Sequence, residues 1–475
     1  MILLHFYPPG LFRKIMAPWE KVSVDCYERP LGETEKLLWL IGSSTVPFGR
    51  DEWHLSVTAS LKIEGKSQSA LEHDAINRLC IAWQQLRFDH PSIAVTTDGS
   101  KLMYKVPNDE TIKTWTEQTF IVDPTAEDAE DILASIEPVE NMRLHVLSKT
   151  SQIVMHTAHW RSDGRGMPQL LSHLLESYAN LLQSPPQAHT VSRPWGQEIS
   201  RLTISLEDAA NMVDTVSNAD MARVKTMAVN LLKAEPALTI PGLGDAATRP
   251  GAPRRKLLVL STTETSQVVM ACRSRGFSVT AAVHAAIATT NIAQAESRDK
   301  DYRSSLRRDL RARLTAPFNT AASAAALFNT ATVISLPSTG NWSEFCTTLS
   351  EAYRSGYDDD VFRLHRVYYR QLCEDIIKMA QEGASGARAC DVDISSVGIA
   401  ANLLRRQYGT GDGAVAVSDF RVSVNTCSRQ AAVFVFTFRD CLHLYMTFNE
   451  AFHSGRGMEK FLGDTKETLL RELST

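Results

Sequence analysis

Two periodicities of apolar residues divide the first part of the chain into a strand and a helix. From Trp53 to Ile63, apolar and polar side chains alternate, which predicts a strand with one buried face. After the capping-box pattern Ser69-Ala70-Leu71-Glu72, apolar residues recur at helical spacing as far as Arg87, which predicts a helix that packs along one face. The predicted buried positions of this helix are Leu71, Ala75, Leu79, Ala82, Trp83 and Leu86.

Short apolar runs and helical stripes continue to alternate further along the chain. Residues 144–147 and 152–158 predict a hairpin, and a helix over 167–182 is predicted from the stripe Leu170, Leu171, Leu174, Leu175, Tyr178 and Leu182. In the second part, strands are predicted over 256–260, 330–336, 414–417, 432–438 and 442–448, and helices from Thr280 and over 457–473. Because strands and helices mix in both parts, the predicted fold class is α/β or α+β with mixed sheets.

The length of the chain and two changes in composition predict two domains. At 475 residues the chain exceeds the size at which one hydrophobic core stops growing. Residues 183–194 are rich in Pro and Ser, and residues 239–253 are rich in Gly, Pro and Ala, as is typical of the ends of a crossover. We therefore expect an N-terminal domain over 1–190, a linker over 191–254 and a C-terminal domain over 255–475.

Charge and composition narrow the classes of partner and compartment. A net charge of −4 gives no basic surface for nucleic acid or an anionic membrane, and the chain has no apolar run long enough to span a bilayer. The apolar run over residues 1–4 is short and is followed by Pro8 and Pro9, so no signal peptide is expected. The eight cysteines form no Cys-x-x-Cys pair, which predicts a reducing compartment and no structural zinc. We expect a cytoplasmic monomer that binds no metal, nucleic acid or membrane.

The residues with the clearest chemical meaning lie between the predicted hairpin and the helix that follows it. His159 ends a predicted strand, where its imidazole can project into a cleft and take a proton near neutral pH. Asp163 could act as a base, orient His159 or brace the turn, and Gly164 is expected to permit a backbone turn that a Cβ atom would obstruct. A buried carboxylate needs a cation, for which Arg87 and Arg421 are the candidates.

His159-x-x-x-Asp163-Gly164 resembles the active-site motif of the chloramphenicol-acetyltransferase-like superfamily. This group includes plant BAHD acyltransferases, condensation domains of nonribosomal peptide synthetases and fungal trichothecene-type O-acetyltransferases. Residues 29–35, 278–286, 328–330 and 448–451 resemble further segments of these proteins in the same order. Ala158 replaces the second histidine of condensation domains, and only Asp419-Phe420 matches the late BAHD segment. The resemblance is therefore greatest to the fungal stand-alone enzymes.

The resemblance implies two domains of similar fold with a tunnel between them and His159 at its centre. It implies transfer of an acyl group, most simply acetyl, from a coenzyme A thioester to a hydroxyl of a small secondary metabolite, with His159 as general base. It also implies that Asp163 faces away from the substrate and pairs with an arginine as a brace. Asn329 is either an oxyanion donor or a strand residue that caps a neighbour, and Asp419-Phe420 is expected to shape the domain junction. Asn329, Asp419 and Arg421 are also the candidate binding residues.

A histidine near the motif and a basic run in the second part of the chain also predict structural features. His156 lies three residues before His159, so strand alternation places it on the opposite face as a packed or hydrogen-bonded histidine. The basic run over residues 303–313 predicts a solvated surface, or alternatively a position near the phosphates of coenzyme A.

Three other functions stay open at this point. The acyl donor could be a carrier-protein thioester, the fold could perform a cyclisation or pericyclic reaction, or the protein could bind a ligand without catalysis. The presence of both His159 and Asp163 argues against the last of these.

Overall fold

The computed structural model of the protein describes residues 19–65, 71–185, 193–232, 237–245, 247–382 and 390–474. The predictions on the first residues of the chain lie outside these ranges, as do Ser69 and Ala70 of the predicted capping box and part of the predicted linker.

Sixteen strands lie within the described residues. They are β1 (Glu20–Lys21), β2 (Cys26–Pro30), β3 (Leu55–Ile63), β4 (Thr96–Thr97), β5 (Lys101–Lys105), β6 (Phe120–Asp123), β7 (Arg143–Leu147), β8 (Gln152–Thr157), β9 (Pro253–Val259), β10 (Tyr302–Asp309), β11 (Asn329–Leu336), β12 (Val392–Ile399), β13 (Gln407–Tyr408), β14 (Val415–Val424), β15 (Ala431–Phe438) and β16 (Cys441–Asn449). All five strands predicted in the second part of the chain are confirmed, and one of them, β14, extends seven residues beyond the predicted end at residue 417.

Twelve α-helices accompany these strands in the same part of the chain. They are α1 (Glu33–Ser43), α2 (His73–Asp89), α3 (Asp109–Thr119), α4 (Ala129–Ser135), α5 (Gly166–Gln183), α6 (Leu206–Ala209), α7 (Asn218–Leu232), α8 (Thr262–Ser274), α9 (Val279–Gln294), α10 (Trp342–Ser355), α11 (Asp359–Gln381) and α12 (Gly455–Ser474). The four predicted helices are confirmed as α2, α5, α9 and α12. The predicted bounds of α5, α9 and α12 are correct within two residues, whereas α2 begins only at His73, after the predicted capping box, and its N-cap residue Glu72 makes no side-chain capping bond.

The first large sheet has six strands in the order β13-β14-β3-β8-β7-β6. Its hairpin β7–β8 is confirmed as antiparallel, whereas β6 pairs with β7 in parallel. The prediction that β3 has only one buried face is wrong, because Ser56 and Thr58 are buried as well as its apolar residues. Helix α5 covers one face of this sheet, and on the other face Ser56 meets Ser423 of β14 near the second sheet.

The second large sheet has the order β12-β15-β16-β9, and it is also mixed, since β12 and β15 are parallel. Helices α9 and α12 pack together over this sheet and share its apolar core. Strands β10 and β11 form a separate antiparallel hairpin that runs beside β12. The mixed α/β fold class is therefore confirmed.

Strand β14 connects the two parts of the chain. It lies after residue 255 in sequence, yet it pairs with β3 from Leu55 to Ile63 in the first sheet. The division into domains at residues 190 and 255 stays a prediction, and the strands show that the second part completes the sheet of the first. No helix in the described part of the chain combines the length and apolar character that crossing a membrane requires.

Candidate active site between the two halves

His159 lies in a tight loop between β8 and α5. A single 3-10 turn over His159–Arg161 follows the end of β8, and α5 begins at Gly166. The Nδ1 atom of His159 is 3.1 Å from the backbone oxygen of Ser162. Because a carbonyl oxygen can only accept a hydrogen bond, Nδ1 carries the proton and Nε2 carries the lone pair. Among the described residues, Nε2 has no hydrogen-bond partner, so it is the nitrogen available to a substrate.

The protonation state of His159 follows from its surroundings. Burial lowers the pKa of His159 below its ordinary value, although the nearby Asp163 and the backbone oxygen of Ser162 act in the opposite direction. A lowered pKa keeps the imidazole neutral at physiological pH. The ring therefore has the form that a general base requires.

Asp163 is fully enclosed and accepts four hydrogen bonds. Its Oδ1 atom accepts from the backbone N–H groups of Arg165 and Gly166 at 3.1 and 2.8 Å. Its Oδ2 atom accepts from Nη1 of Arg311 at 2.9 Å and from the backbone N–H of Phe328 at 3.0 Å. Burial alone would raise the pKa of Asp163, but Arg311 and these donors outweigh it and hold the pKa below the ordinary value. The carboxylate is thus charged and saturated.

Neither arginine that the sequence suggested is the partner of Asp163. The guanidinium of Arg87 stacks on the Trp115 ring, 4.6 Å from its centroid, and Arg421 pairs with Asp419 at 2.9 Å. The partner is Arg311, which is brought to Asp163 by the turn that follows β10. These two residues are far apart in sequence, which is why spacing gave no indication of the pair.

The prediction that Gly164 is needed to avoid a steric clash is wrong. A Cβ atom built on Gly164 would meet nothing within 4 Å, and the residue does not adopt a positive φ angle. The glycine that the local packing requires is Gly166, where a Cβ atom would lie 2.2 Å from the backbone oxygen of Ala324. The helix α5 can therefore begin against residue 324 only because residue 166 has no side chain.

A cavity of about 340 Å³ adjoins the His159 loop. Both halves of the chain line it, with β10, β11, β12 and α11 facing α1 and the loop after β8. Its walls are largely apolar, and the side chains that define them include Leu37, Leu38, Ile41, Trp53, Val333, Tyr368, Tyr369, Leu372, Val424 and Phe434. Asp163 and Gly164 border the same cavity. The candidate site is therefore a mainly apolar chamber with one histidine, His159, at its edge.

The remaining predicted site residues divide into two groups. Asn329 lines the cavity at the start of β11, where it lies opposite Asp309 in the hairpin register. Asp419 and Arg421 do not line it. Arg421 instead contacts Glu130 of α4 at 3.4 Å, and Glu130 also accepts from Tyr445 of the second sheet at 2.5 Å. These two residues thus belong to the junction between the sheets, apart from the cavity.

The basic run over residues 303–313 is not the solvated surface that its charges predicted. Its first seven residues lie within β10, and Arg303 and Arg311 are buried. Arg307 lines the cavity and forms an ion pair with the buried Asp393 at 3.2 Å. The apolar residues at even positions of β10, Tyr302 and Leu306, are the signal that could have indicated a buried strand.

His156 is confirmed as a buried, hydrogen-bonded residue. Its Nδ1 atom is 2.8 Å from Nε2 of His54, and its Nε2 atom is 3.1 Å from Nε2 of His145. His54 is in turn held by Asp51 at 2.8 Å. The described residues contain no set of three or more His, Cys, Asp or Glu side chains arranged to hold a metal ion.

Comparison with known proteins shows which proteins the chain resembles. No protein-family model matches the chain. The acetyltransferase pigO of Monascus ruber is 33% identical over 459 residues, which cover 96% of this chain and 98% of the relative. The O-acetyltransferase pigM of the same organism is 27% identical over 460 residues, covering 96% and 87% of the two chains.

Solved structures show the same fold. The trichothecene 15-O-acetyltransferase TRI3 of Fusarium sporotrichioides superposes with a TM-score of 0.77 at 19% identity, over 95% of this chain and 97% of that one. The first condensation domain of the CDA synthetase superposes with a TM-score of 0.62 at 13% identity, over 94% and 96%. The 33% identity to pigO over nearly the full length of both chains shows that this chain belongs to the fungal acetyltransferases and is a transferase enzyme, and the superpositions show that it has the fold of the chloramphenicol-acetyltransferase-like superfamily.

Proposed function

We propose that this protein transfers an acetyl group from acetyl-coenzyme A to a hydroxyl group of a secondary metabolite, with His159 as the general base. The observation that carries the proposal is the contact of Nδ1 of His159 with the backbone oxygen of Ser162. This contact leaves the basic nitrogen of a neutral imidazole free beside an apolar chamber. A hydroxyl is a weak nucleophile at neutral pH, and such a base is the group that it needs.

The proposed reaction uses this nitrogen twice. The acceptor hydroxyl gives its proton to Nε2 of His159 while its oxygen attacks the carbonyl carbon of the thioester. The tetrahedral intermediate then collapses, the carbon–sulfur bond breaks, and the departing thiolate takes the proton back from the imidazolium. Asp163 has no free lone pair for the substrate because four donors occupy it, so we assign it the role of a brace for the loop.

The names of the relatives support the class of acceptor. A third relative, 27% identical over 308 residues, is the azaphilone biosynthesis cluster protein M of Aspergillus terreus. We therefore take a polyketide alcohol of the azaphilone type as the first acceptor to test. Apolar side chains line the chamber and would pack against the ring body of such a compound, and Asn329, which lines the same chamber, is proposed to contact it.

The test measures acetyl transfer directly. The protein is incubated with acetyl-coenzyme A and a panel of polyketide alcohols, and both free thiol and the acetylated product are quantified. His159→Ala should lower turnover by roughly two to four orders of magnitude. The matched control is His73→Ala, since His73 is an exposed histidine on α2 and outside the residues that line the cavity.

Three results would contradict the proposal. The first is near-normal transfer by His159→Ala. The second is transfer from an acyl-carrier-protein thioester when acetyl-coenzyme A is inert, which would identify a carrier-dependent enzyme. The third is conversion of a substrate with no acyl donor present, which would identify a cyclase or pericyclase on the same fold.

A further inference from the structure

Arg307 presents hydrogen-bond donors to the cavity that no protein group uses. Only its Nη1 atom is engaged, by Oδ2 of Asp393 at 3.2 Å and by the backbone oxygen of Ile394. Among the described residues, no hydrogen bond is formed by its Nε or Nη2 atoms. The side chain is 28% exposed, and Arg307 lines the cavity. The guanidinium is therefore held in place by one nitrogen and open at the others.

The carboxylate that holds Arg307 also holds a second side chain of the cavity. Asp393 is fully buried, and its Oδ1 atom accepts from the backbone N–H of Ile394 at 2.8 Å and from the Ser304 hydroxyl. Its Oδ2 atom accepts from Nε2 of Gln430 at 3.4 Å as well as from Arg307. Gln430 lines the cavity too. One buried carboxylate thus fixes an arginine and a glutamine side by side on the chamber wall, and we call this pair the polar patch.

The polar patch lies near the reaction centre but is offset from it. Arg307 of β10 lies opposite Ala331 of β11, and two residues further along the same strand Asp309 lies opposite Asn329. Asp309 accepts a hydrogen bond from Arg311, the partner of Asp163. Two residues of a strand span about 7 Å. Burial is the main cause of the lowered pKa of His159, and the charge of Arg307 adds to it, so Arg307 lies within electrostatic range of the base.

This position argues against two other roles for Arg307. The phosphates of coenzyme A lie at the far end of the pantetheine arm, whereas Arg307 lies within range of His159, where the thioester must react. A donor to the oxyanion must lie within about 3 Å of the forming charge, next to the attacked carbon. Arg307 is displaced along the hairpin from the loop that carries His159, and no hydrogen bond joins it to that loop among the described residues.

We propose that the polar patch of Arg307 and Gln430 binds a carbonyl or carboxylate oxygen of the acceptor, at a distance from the hydroxyl that is acylated. This inference rests on the proposed acetyl transfer and names the acceptor class more closely. The acceptor has an apolar body that fills the chamber, a hydroxyl that reaches His159, and a planar oxygen group that meets the free guanidinium edge. Charged hydrogen bonds of this kind are among the stronger polar contacts in proteins.

The kinetic test compares Arg307→Met with Arg307→Lys. Arg307→Met should raise KM for a carbonyl-bearing polyketide alcohol by roughly 10- to 100-fold, equivalent to about 1.4 to 2.8 kcal/mol, and should leave KM for acetyl-coenzyme A unchanged. Arg307→Lys keeps the charge and should recover part of the loss. The matched control is Arg406→Met, because Arg406 forms an exposed ion pair with Asp440 and does not line the cavity. A rise in KM for acetyl-coenzyme A, or a loss of kcat with an unchanged acceptor KM, would overturn the proposal.

A binding test separates this inference from the proposed function. Calorimetry measures naphthalene carboxylate and naphthyl methanol, two compounds with the same apolar body and different oxygen groups, on the parent protein and on Arg307→Met. The carboxylate should bind the parent more tightly, and the variant should lose that preference while still binding the methanol. Equal affinity of both proteins for the carboxylate would refute the polar patch. Since no turnover is involved, this result stands whether or not acetyl transfer is found.

Discussion

Replacement of Asp163 by Asn tests whether this residue is a brace or a chemical participant. The change keeps the shape of the side chain but converts one acceptor oxygen into an NH2 donor. Each carboxylate oxygen of Asp163 accepts from two donors, so in either orientation the amide nitrogen faces two N–H groups. One orientation opposes Arg311 and Phe328, and the other opposes Arg165 and Gly166.

The size of the effect follows from the groups that are left without an acceptor. A buried donor that loses its partner costs about 1–3 kcal/mol. Arg311 keeps its hydrogen bonds to Asp309 at 2.9 Å and to the backbone oxygen of Ala326 at 3.3 Å, so the change removes only one of its partners. We therefore expect Asp163→Asn to lower the free energy of unfolding by about 2–4 kcal/mol. For a cooperative unit of 150–250 residues, this corresponds to a decrease in Tm of roughly 4–16 °C.

The assay combines a thermal melt with acetyl-transfer kinetics at a temperature at which the variant is folded. Asp440→Asn is the control, because it makes the same chemical change in an exposed ion pair and should leave Tm nearly unchanged. A double mutant of Asp163→Asn with Arg311→Met should lose less stability than the sum of the two single changes. Loss of activity with an unchanged Tm would refute the brace and indicate that Asp163 takes part in the chemistry.

Four further predictions follow from the same contacts. The kcat/KM of the parent should rise with pH through an apparent pKa below 6.5, because the neutral form of His159 is active and burial lowers its pKa; a rise centred above 6.5 contradicts this. Gly166→Ala should lower Tm by several degrees whereas Gly164→Ala should not, and equal melts would refute the packing argument. Coenzyme A at a hundredfold excess over its Kd should add about 2.7 kcal/mol of stability, less at high salt, and an unchanged melt would speak against it as the donor. Burial lowers the pKa of His284 to about 4. As pH falls below about 6.5, His284 is therefore protonated in the unfolded chain but not in the folded one, which favours unfolding. Tm should fall between about pH 6.5 and pH 4, and the fall should be less steep in His284→Gln.

Local patterns in the sequence predict the strand and the helix on either side of the loop from His159 to Gly164. The leucine stripe of α5 predicted a helix over 167–182, and the structure has it over Gly166–Gln183. The hairpin before His159 was predicted because its apolar runs are short and contiguous. Such patterns indicate which face of a helix or strand is buried, and a short stretch of sequence is enough to show them.

Contacts between distant residues could not be predicted in the same way. Arg311 follows a run of charged residues that resembles a solvated surface, and its partner Asp163 lies 148 positions earlier. Asp393 and Arg307 are 86 positions apart, and neither residue type indicates a buried pair by itself. Burial of these charges depends on the packing of β10 beside β12. The apolar pattern within one strand does not show which other strand it packs against.

The family motif had a mixed outcome for the same reason. It identified the loop from His159 to Gly164, which the structure places at the cavity. The steric requirement that we inferred for Gly164 from its backbone freedom is wrong, because the close contact is at Gly166, against a carbonyl of residue 324. A motif shows which residues occur together in a sequence, but the role of each residue depends on its contacts in the folded protein.

The contacts of the loop from His159 to Gly164 imply that the two halves of the chain form one structural unit. Asp163 takes two of its four donors, Arg311 and the N–H of Phe328, from the second half, and the Ser162 hydroxyl donates to the backbone oxygen of Ala324 at 2.9 Å. Strand β3 pairs with β14 of the second half, so its edge would otherwise be open. A chain ended near residue 190 would therefore keep His159 but lose half of what holds its loop. The geometry that frees Nε2 for a substrate thus depends on the association of both halves, in the same place where the acceptor and the acyl donor must meet.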